Sequence, residues 1–517
     1  MFIKVFLLLL FFAVTIFIGV YLRKRATNVN DFVLGGRNVG PWLSAFAFGT
    51  SYFSAVVFVG FAGQFGWRFG TSAVWIGLGN AFIGSLMAWF LLGRRTRVMT
   101  NYLKSATMPE FFGSRYMSNA LKIGASIIVF VFMIPYTASL YNGLSRLFSM
   151  AFNVDFIYCI IAMAVLTAIF VVAGGYLASA VNSFIQGFIM LVGIIAVIAT
   201  VLQTNGGFTE AINSLSRVTA DEAASVPGVF ASFFGPDPIS LLGVVLLTSL
   251  GTWGLPQMVA RFYSITSEKQ ITKGAVISTI FALFVAGGSY FLGSFGRLYD
   301  GVVERGANGA VIFDSIIPTI LSQFSDALIG LVILLVFAAS ISTLSSLVMA
   351  SASTLTLDFL KGFIIKKMDD KRQLTVVRVL IVVFIAISSV IAIFQYSGGL
   401  TFIAQLMGIS WGAMAGAFLA PFLYGLYWKR VSSASVWCCF AFSVIVMVLN
   451  IFFRSSFPAI LQSPINAGAF TMLAGLIIVP VVSLFTKAPD KSAVDSCFAC
   501  YDETVSVKIR DALGNGG

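Results

Sequence analysis

The sequence contains no histidine, and only 20 of its 517 residues are Asp or Glu. Histidine is the side chain that titrates near neutrality and the commonest metal ligand, so imidazole chemistry is excluded outright. Acidic residues are also missing from the interior of the long apolar runs, because Glu110 and Asp358 fall at or beyond the ends of such runs. A chain that moves protons through a bilayer, or cuts bonds inside one, ordinarily needs a titratable group at that depth. Neutral oxygens are then left to hold any coupling ion, which suits sodium and not a proton.

Charge of either sign is scarce. Charged residues make up 10% of the chain and apolar ones 59%, whereas a soluble domain carries about a quarter charged residues. Such a chain cannot cover itself with a water-facing surface. Cysteines are few: Cys159, Cys438 and Cys439 lie inside apolar runs and read as small hydrophobes. Cys497 and Cys500 form a CxxC, but a zinc site needs about four ligands and no second CxxC is present. A nucleophile–base pair and a phosphate loop are missing as well, so the chain reads as no enzyme, with no catalytic residue and no cofactor.

What is present is apolar length. Runs near the ~20 residues needed to cross a bilayer recur from end to end, and they predict an all-α polytopic membrane protein of thirteen spans. These lie near 3–22, 41–64, 72–93, 121–149, 155–173, 179–203, 239–262, 274–297, 327–357, 375–395, 400–427, 434–453 and 467–486. The run from Val5 to Leu22 lacks an A-x-A cleavage pattern and precedes Arg23-Lys24-Arg25, so it reads as a retained first span and not a signal peptide.

The net charge is +12, but its placement argues against a nucleic-acid partner. Lys and Arg sit in short loops beside apolar runs: Arg23, Lys24, Arg25 and Arg37, then Arg94, Arg95, Arg97, Lys104, Arg115 and Lys122, then Arg261, Lys269 and Lys273, then Lys361 to Arg378, then Lys429, Arg430 and the tail. Only Lys4, Arg68, Arg146, Arg217, Arg297, Arg305 and Arg454 fall on the other side. This bias predicts an N-terminus outside and a C-terminus in the cytoplasm of a cell (plasma) membrane protein. Two external segments, 204–238 and 298–326, carry Asp221, Glu222, Asp237, Asp300, Glu304, Asp314 and Asp326; they read as solvated loops or as a weak cation-attracting mouth. The expected divisions are 1–40, an extra first span and its loop; 41–430, a transport core; 431–486, two further spans; and 487–517, a polar tail without a domain of its own.

Two spans look interrupted. In the second, Gly49-Thr50-Ser51 sits near mid-membrane; in the seventh, Gly251, Gly254 and Pro256 break the pattern. Unwound backbone at that depth survives only where it lines a cavity or is buried in protein. The two are five spans apart and enter from opposite sides, the relation of a five-plus-five inverted repeat with a binding site where the breaks meet. Glycines that merely allow tight packing are the alternative. The ninth span then offers Ser340, Ser342, Thr343, Ser345 and Ser346, with 339, 342, 343 and 346 on one helical face.

Several motifs, in order, resemble the sodium:solute symporter family of proline, pantothenate, monocarboxylate, sialic acid and sodium–glucose carriers. They are Gly35-Gly36-Arg37, Met108-Pro109-Glu110-Phe111 with Arg115-Tyr116, Gly174-Gly175 with Gln186, Pro256 with Ala260-Arg261-Phe262, and Tyr427-Trp428-Lys429-Arg430. The resemblance, over roughly residues 1–490, implies a leucine-transporter-like inverted repeat with one span before the core and two after it. It implies a sodium site from the carbonyls of Thr50, Phe53 and Ala339 and the hydroxyls of Ser342 and Thr343. It also implies a second sodium site, weakened here because the aspartate of some members is replaced by Ser183 beside Asn182, leaving Ser345 and Ser346; one sodium per solute is expected. Proline carriers have an aspartate where this chain has Tyr52, and sugar carriers a glutamine where it has Val57. The expectation is therefore sodium-coupled import of a small organic acid, monocarboxylate or pantothenate-like, bound by Tyr52, Ser54, Trp253 and Gln405. A neutral amino acid or sugar symporter, a uniporter or proton symporter, and a transporter-like sensor are the competing readings. The expected partners are the solute, sodium and the bilayer, with no obligate protein partner.

Overall fold

The computed structural model describes residues 2–22, 29–35, 39–218, 226–265, 269–306, 309–365, 368–398 and 403–501. Arg23, Lys24, Arg25, Gly36, Arg37, Asp221, Glu222, Lys366, Lys367 and the tail beyond 501 lie outside the described residues. Among the described residues the regular structure is helical throughout, with two isolated β-bridges.

Each of the thirteen predicted spans falls on helix. Among the described residues ten helices are long and apolar enough to cross a membrane, or eleven when the bent pair Pro238–Gly254 and Pro256–Tyr263 counts as one. The difference from thirteen lies in fused helices and short ones. Val56–Tyr102 runs for 47 residues, about 70 Å at ~1.5 Å per residue and more than twice the ~30 Å hydrocarbon thickness. Gly70, at φ 61°, folds it back between the second and third spans. Phe156–Thr204 is broken likewise at Gly175, φ 62° and ψ −166°, into the fifth and sixth spans. A Cβ at Gly175 would stand 2.9 Å from Phe32, so this position needs both the left-handed backbone and the missing side chain.

Two helices form the centre. The most apolar stretches of the eleventh span, Ile403–Tyr427, and the ninth, Asp326–Gly362, are 94% and 83% buried, against 22% for the first. The first span instead exposes Phe6, Leu9, Leu10 and Phe17, as a peripheral helix in lipid must. The ninth packs against the second, fourth and sixth spans.

Ion pairs respect the predicted sides. Lys4 meets Asp326 at 2.7 Å and Arg68 meets Asp237 at 3.8 Å on one face. Lys122 meets Asp358 at 3.4 Å, and Lys429 meets Asp495 at 2.7 Å, on the other.

Some charges are not where a loop reading puts them. Arg115 and Arg261 are buried; Arg115 donates to the carbonyls of Gly425 and Trp428 at 2.9 and 3.1 Å. Asp314 is buried too, and its carboxylate accepts from the Ile403 amide at 3.3 Å, capping the eleventh span. Burial pushes that carboxyl up to about 6, with Arg146 and the amide pulling the other way. The tail is also more ordered than its polarity suggests: Lys491–Phe498 is a helix, and Phe498 and Tyr501 lie against the guanidinium groups of Arg115 and Arg95.

Candidate functional site

The second span breaks at Phe53 and Ser54, one turn beyond the glycine that signalled it. Phe53 is extended, at φ −85° and ψ 128°. In an unbroken helix the Ala55 amide would donate to the Ser51 carbonyl; here it donates to Ser340 Oγ on the ninth span at 3.2 Å. The seventh span breaks at Leu255, φ −89° and ψ 121°, with Pro256 opening the next helix and a bend of 46°.

The ninth-span hydroxyls face the first of these breaks. Thr343 Oγ1 lies 3.2 Å from the Thr50 carbonyl, 3.1 Å from that of Phe53 and 3.1 Å from that of Ala339. One hydroxyl proton cannot serve three acceptors at once, so this buried cluster is richer in lone pairs than in donors, the composition that suits a cation. Ser342 Oγ sits 2.8 Å from Thr50 Oγ1 and 2.7 Å from Ser183 Oγ. All five residues of the expected sodium set, from segments about 290 positions apart, are thus in one cluster, with Ser183 as a neighbour the sequence placed elsewhere.

The second predicted set is not assembled into one cage. Ser183 faces Ser342. Ser345 donates back to Ile341 of its own helix at 2.7 Å. Ser346 is bonded to Ser51 at 2.9 Å and accepts from the Arg261 guanidinium, which also reaches Ser51 at 2.8 Å and stacks 4.9 Å over the Tyr176 ring. A buried cation already stands beside that hydroxyl.

The predicted solute contacts have different surroundings. Ser54 is buried, and its hydroxyl has no partner among the described residues. Trp253 is buried with its indole N–H donating to the Ile83 carbonyl at 3.0 Å, a packing contact with the third span. Gln405 lies in the first turn of the eleventh span and accepts from Arg454 at 3.4 Å, whereas Gly254 at the seventh-span break packs against Ala415 and Leu419 of the same helix. The side chain of Tyr52 lies outside the described residues.

Sequence reasoning missed one cavity. An empty space of about 490 Å³, part of it open to solvent, lies on the face of the 94–122 connection and is lined by Ser179, Gln257, Ala260, Arg261, Ser346 and Ser353, among others. Gln257, Ala260 and Arg261 share one helical face by i, i+3, i+4 spacing, a signal that was legible in the motif around Pro256.

The comparisons agree with this architecture. The model of the sodium:solute symporter family matches residues 32–439. The osmoregulated proline transporter OpuE of Bacillus subtilis is 27% identical over 491 residues, covering 94% of this chain and 95% of that one. A sodium/proline symporter of Staphylococcus aureus is 28% identical over 521 residues, covering 97% and 95%. Among solved structures, a Na+-coupled sialic acid symporter in an outward-open state superposes with a TM-score of 0.73 at 17% identity, over 95% of this chain and 99% of that one. A nucleobase-cation-symport-1 family transporter follows at 0.51 and 13%, over 90% and 97%. These two share the fold, and with the family match over most of its length the chain belongs to the sodium:solute symporter family.

Proposed function

We propose that this protein couples sodium entry to uptake of a small zwitterionic amino acid of the proline type across the plasma membrane, with its N-terminus outside and C-terminus inside. The observation that carries the coupling is the cluster of neutral oxygens at the first break: carbonyls of Thr50, Phe53 and Ala339 around the Thr343 hydroxyl, with Ser342 beside them. Carbonyls released by a broken helix are how this kind of transporter holds a cation at the midplane. No carboxylate belongs to the cluster, so proton exchange is not its chemistry.

The solute assignment is supported by relatives named for proline over nearly the whole chain, and the organic-acid expectation gives way to it. Tyr52 in place of an aspartate is then a difference within the proline-type reading and not a reason to leave it. The test is uptake of labelled L-proline into proteoliposomes with an inward sodium gradient. Accumulation that stops when sodium is replaced by potassium is the expected result. Saturable binding without accumulation would indicate a sensor, and sodium-driven uptake of lactate or pantothenate but not proline would restore the organic acid.

A further inference from the structure

The cavity beside the seventh span contains more unmatched polar groups than packing explains. Gln257 is 2% exposed, yet neither its amide oxygen nor its amide nitrogen has a partner among the described residues. Arg261 is also 2% exposed, and its Nε is unpartnered although one terminal nitrogen serves both Ser51 and Ser346. Ser179, across the cavity on the sixth span, is buried with a hydroxyl that has no partner among the described residues. All three line the same space. Leaving a buried amide or guanidinium edge unmade costs more than an ordinary hydrogen bond contributes, so a recurring occupant is the economical explanation.

The chemistry selects the occupant. A guanidinium favours a carboxylate; with one terminal nitrogen already committed to Ser51 and Ser346, Arg261 offers it the unpartnered Nε–H as a single charge-assisted donor. The Gln257 carbonyl oxygen, one helical turn away, can accept from an ammonium. Met108, Met349 and Ala350 supply apolar wall for a short aliphatic body. The cavity also touches the ion cluster: Ser346 accepts from Arg261 and donates to the Ser342 carbonyl at 2.9 Å. A group bound to Arg261 therefore sits one helical turn from a hydroxyl of the sodium cluster.

We propose that this vestibule is a second solute subsite, where Arg261 holds the carboxylate and Gln257 the ammonium of the transported amino acid on its path between the ion-coupled site and the cytoplasm. The proposal rests on the solute reading above, and its test separates the two. In the purified full-length protein, Ser353→Cys puts a thiol in the vestibule wall, and its alkylation by iodoacetamide is followed by mass spectrometry so that native cysteines are counted apart. L-Proline slows the modification. In Arg261→Lys and in Gln257→Leu the half-protecting concentration rises about tenfold or more, the loss expected for one hydrogen bond to a charged group. Should Arg261→Lys fail to fold, Gln257→Leu alone decides.

Protection by sodium chloride in place of gluconate, equal to that by proline, would make the site an inorganic-anion site and overturn the proposal. So would protection by proline that is unchanged in both variants. If proline is neither taken up nor protective, acetate, glycine and lactate are tried. Protection by one of them that both variants weaken keeps the carboxylate subsite while the proline reading fails, and protection by none overturns the subsite.

Discussion

At the residue scale the decisive atom is Thr343 Oγ1, because three carbonyls from two helices converge on it. Thr343→Ala removes the proposed sodium ligand and leaves those carbonyls without the hydroxyl between them, and Ser342→Ala removes the hydroxyl between Thr50 and Ser183. Each substitution costs a hydrogen-bond-scale ~1–3 kcal/mol, so the sodium concentration for half-maximal uptake rises about tenfold or more. Sodium titration of uptake checks this, and wild-type dependence in both variants would remove the cluster from the coupling mechanism. The sequence exposed the hydroxyl face by its spacing. It did not expose that Ser340 also serves the broken span, since a serine off the 339–346 face looks like an ordinary helix back-bonder until its partner is seen.

Elements explain why two glycines are needed where the helix after the first break meets the eighth span, Gln270–Ser294. A Cβ on Gly66 would stand 2.0 Å from the Gly293 backbone, and one on Gly293 1.9 Å from the Ala62 carbonyl. Backbone cannot yield as a side-chain tip can, so Gly293→Ala pushes these helices apart. Overpacking costs about 1–3 kcal/mol or more, and a lower melting temperature in detergent is the expected readout, with uptake falling in step. An unchanged melting temperature would mean that the two helices separate at no cost. The breaks themselves were only partly legible. Glycine and proline flagged the right spans, but Gly49 is helical and the kink falls at Phe53 and Ser54, because the ninth-span serine that replaces the lost backbone partner decides where opening is tolerated.

At the scale of the whole molecule, orientation and stoichiometry both follow from where the charges lie. The charge bias places the connection between the ninth and tenth spans inside, so a cysteine introduced at 365 reacts with a membrane-impermeant maleimide only after permeabilisation; labelling from outside intact cells would invert the topology. The ion count follows from charge already present. Arg261 is buried against Ser346 and Ser51, Ser345 is turned back on its own helix, and among the described residues no carboxylate bonds these groups to offset another bare cation there. One sodium per solute is expected from reversal-potential measurements in vesicles, and a reproducible ratio of two would show that Asn182 or Ser183 coordinates without charge. Sodium should also raise thermal stability, by about 2.7 kcal/mol at a hundredfold excess over its dissociation constant, and Thr343→Ala should abolish most of that gain.

The sequence by itself determined the spans, the relative sides of the connections and the membership of the two broken helices in one repeat. Lipid imposes length, apolarity and loop charge on each segment separately, so these are local properties readable one run at a time. Spacing alone exposed the hydroxyl face of the ninth span, whereas the carbonyls of Thr50, Phe53 and Ala339 were reachable only through the family resemblance. Tertiary structure decided that Ser183 joins that cluster, that the Trp253 indole N–H is spent on the Ile83 carbonyl, and that Arg261 and Arg115 are interior charges instead of loop ones. Each of those depends on which buried donor meets which acceptor across helices far apart in the chain, and hydropathy records only that a segment is buried, not what its polar atoms find there.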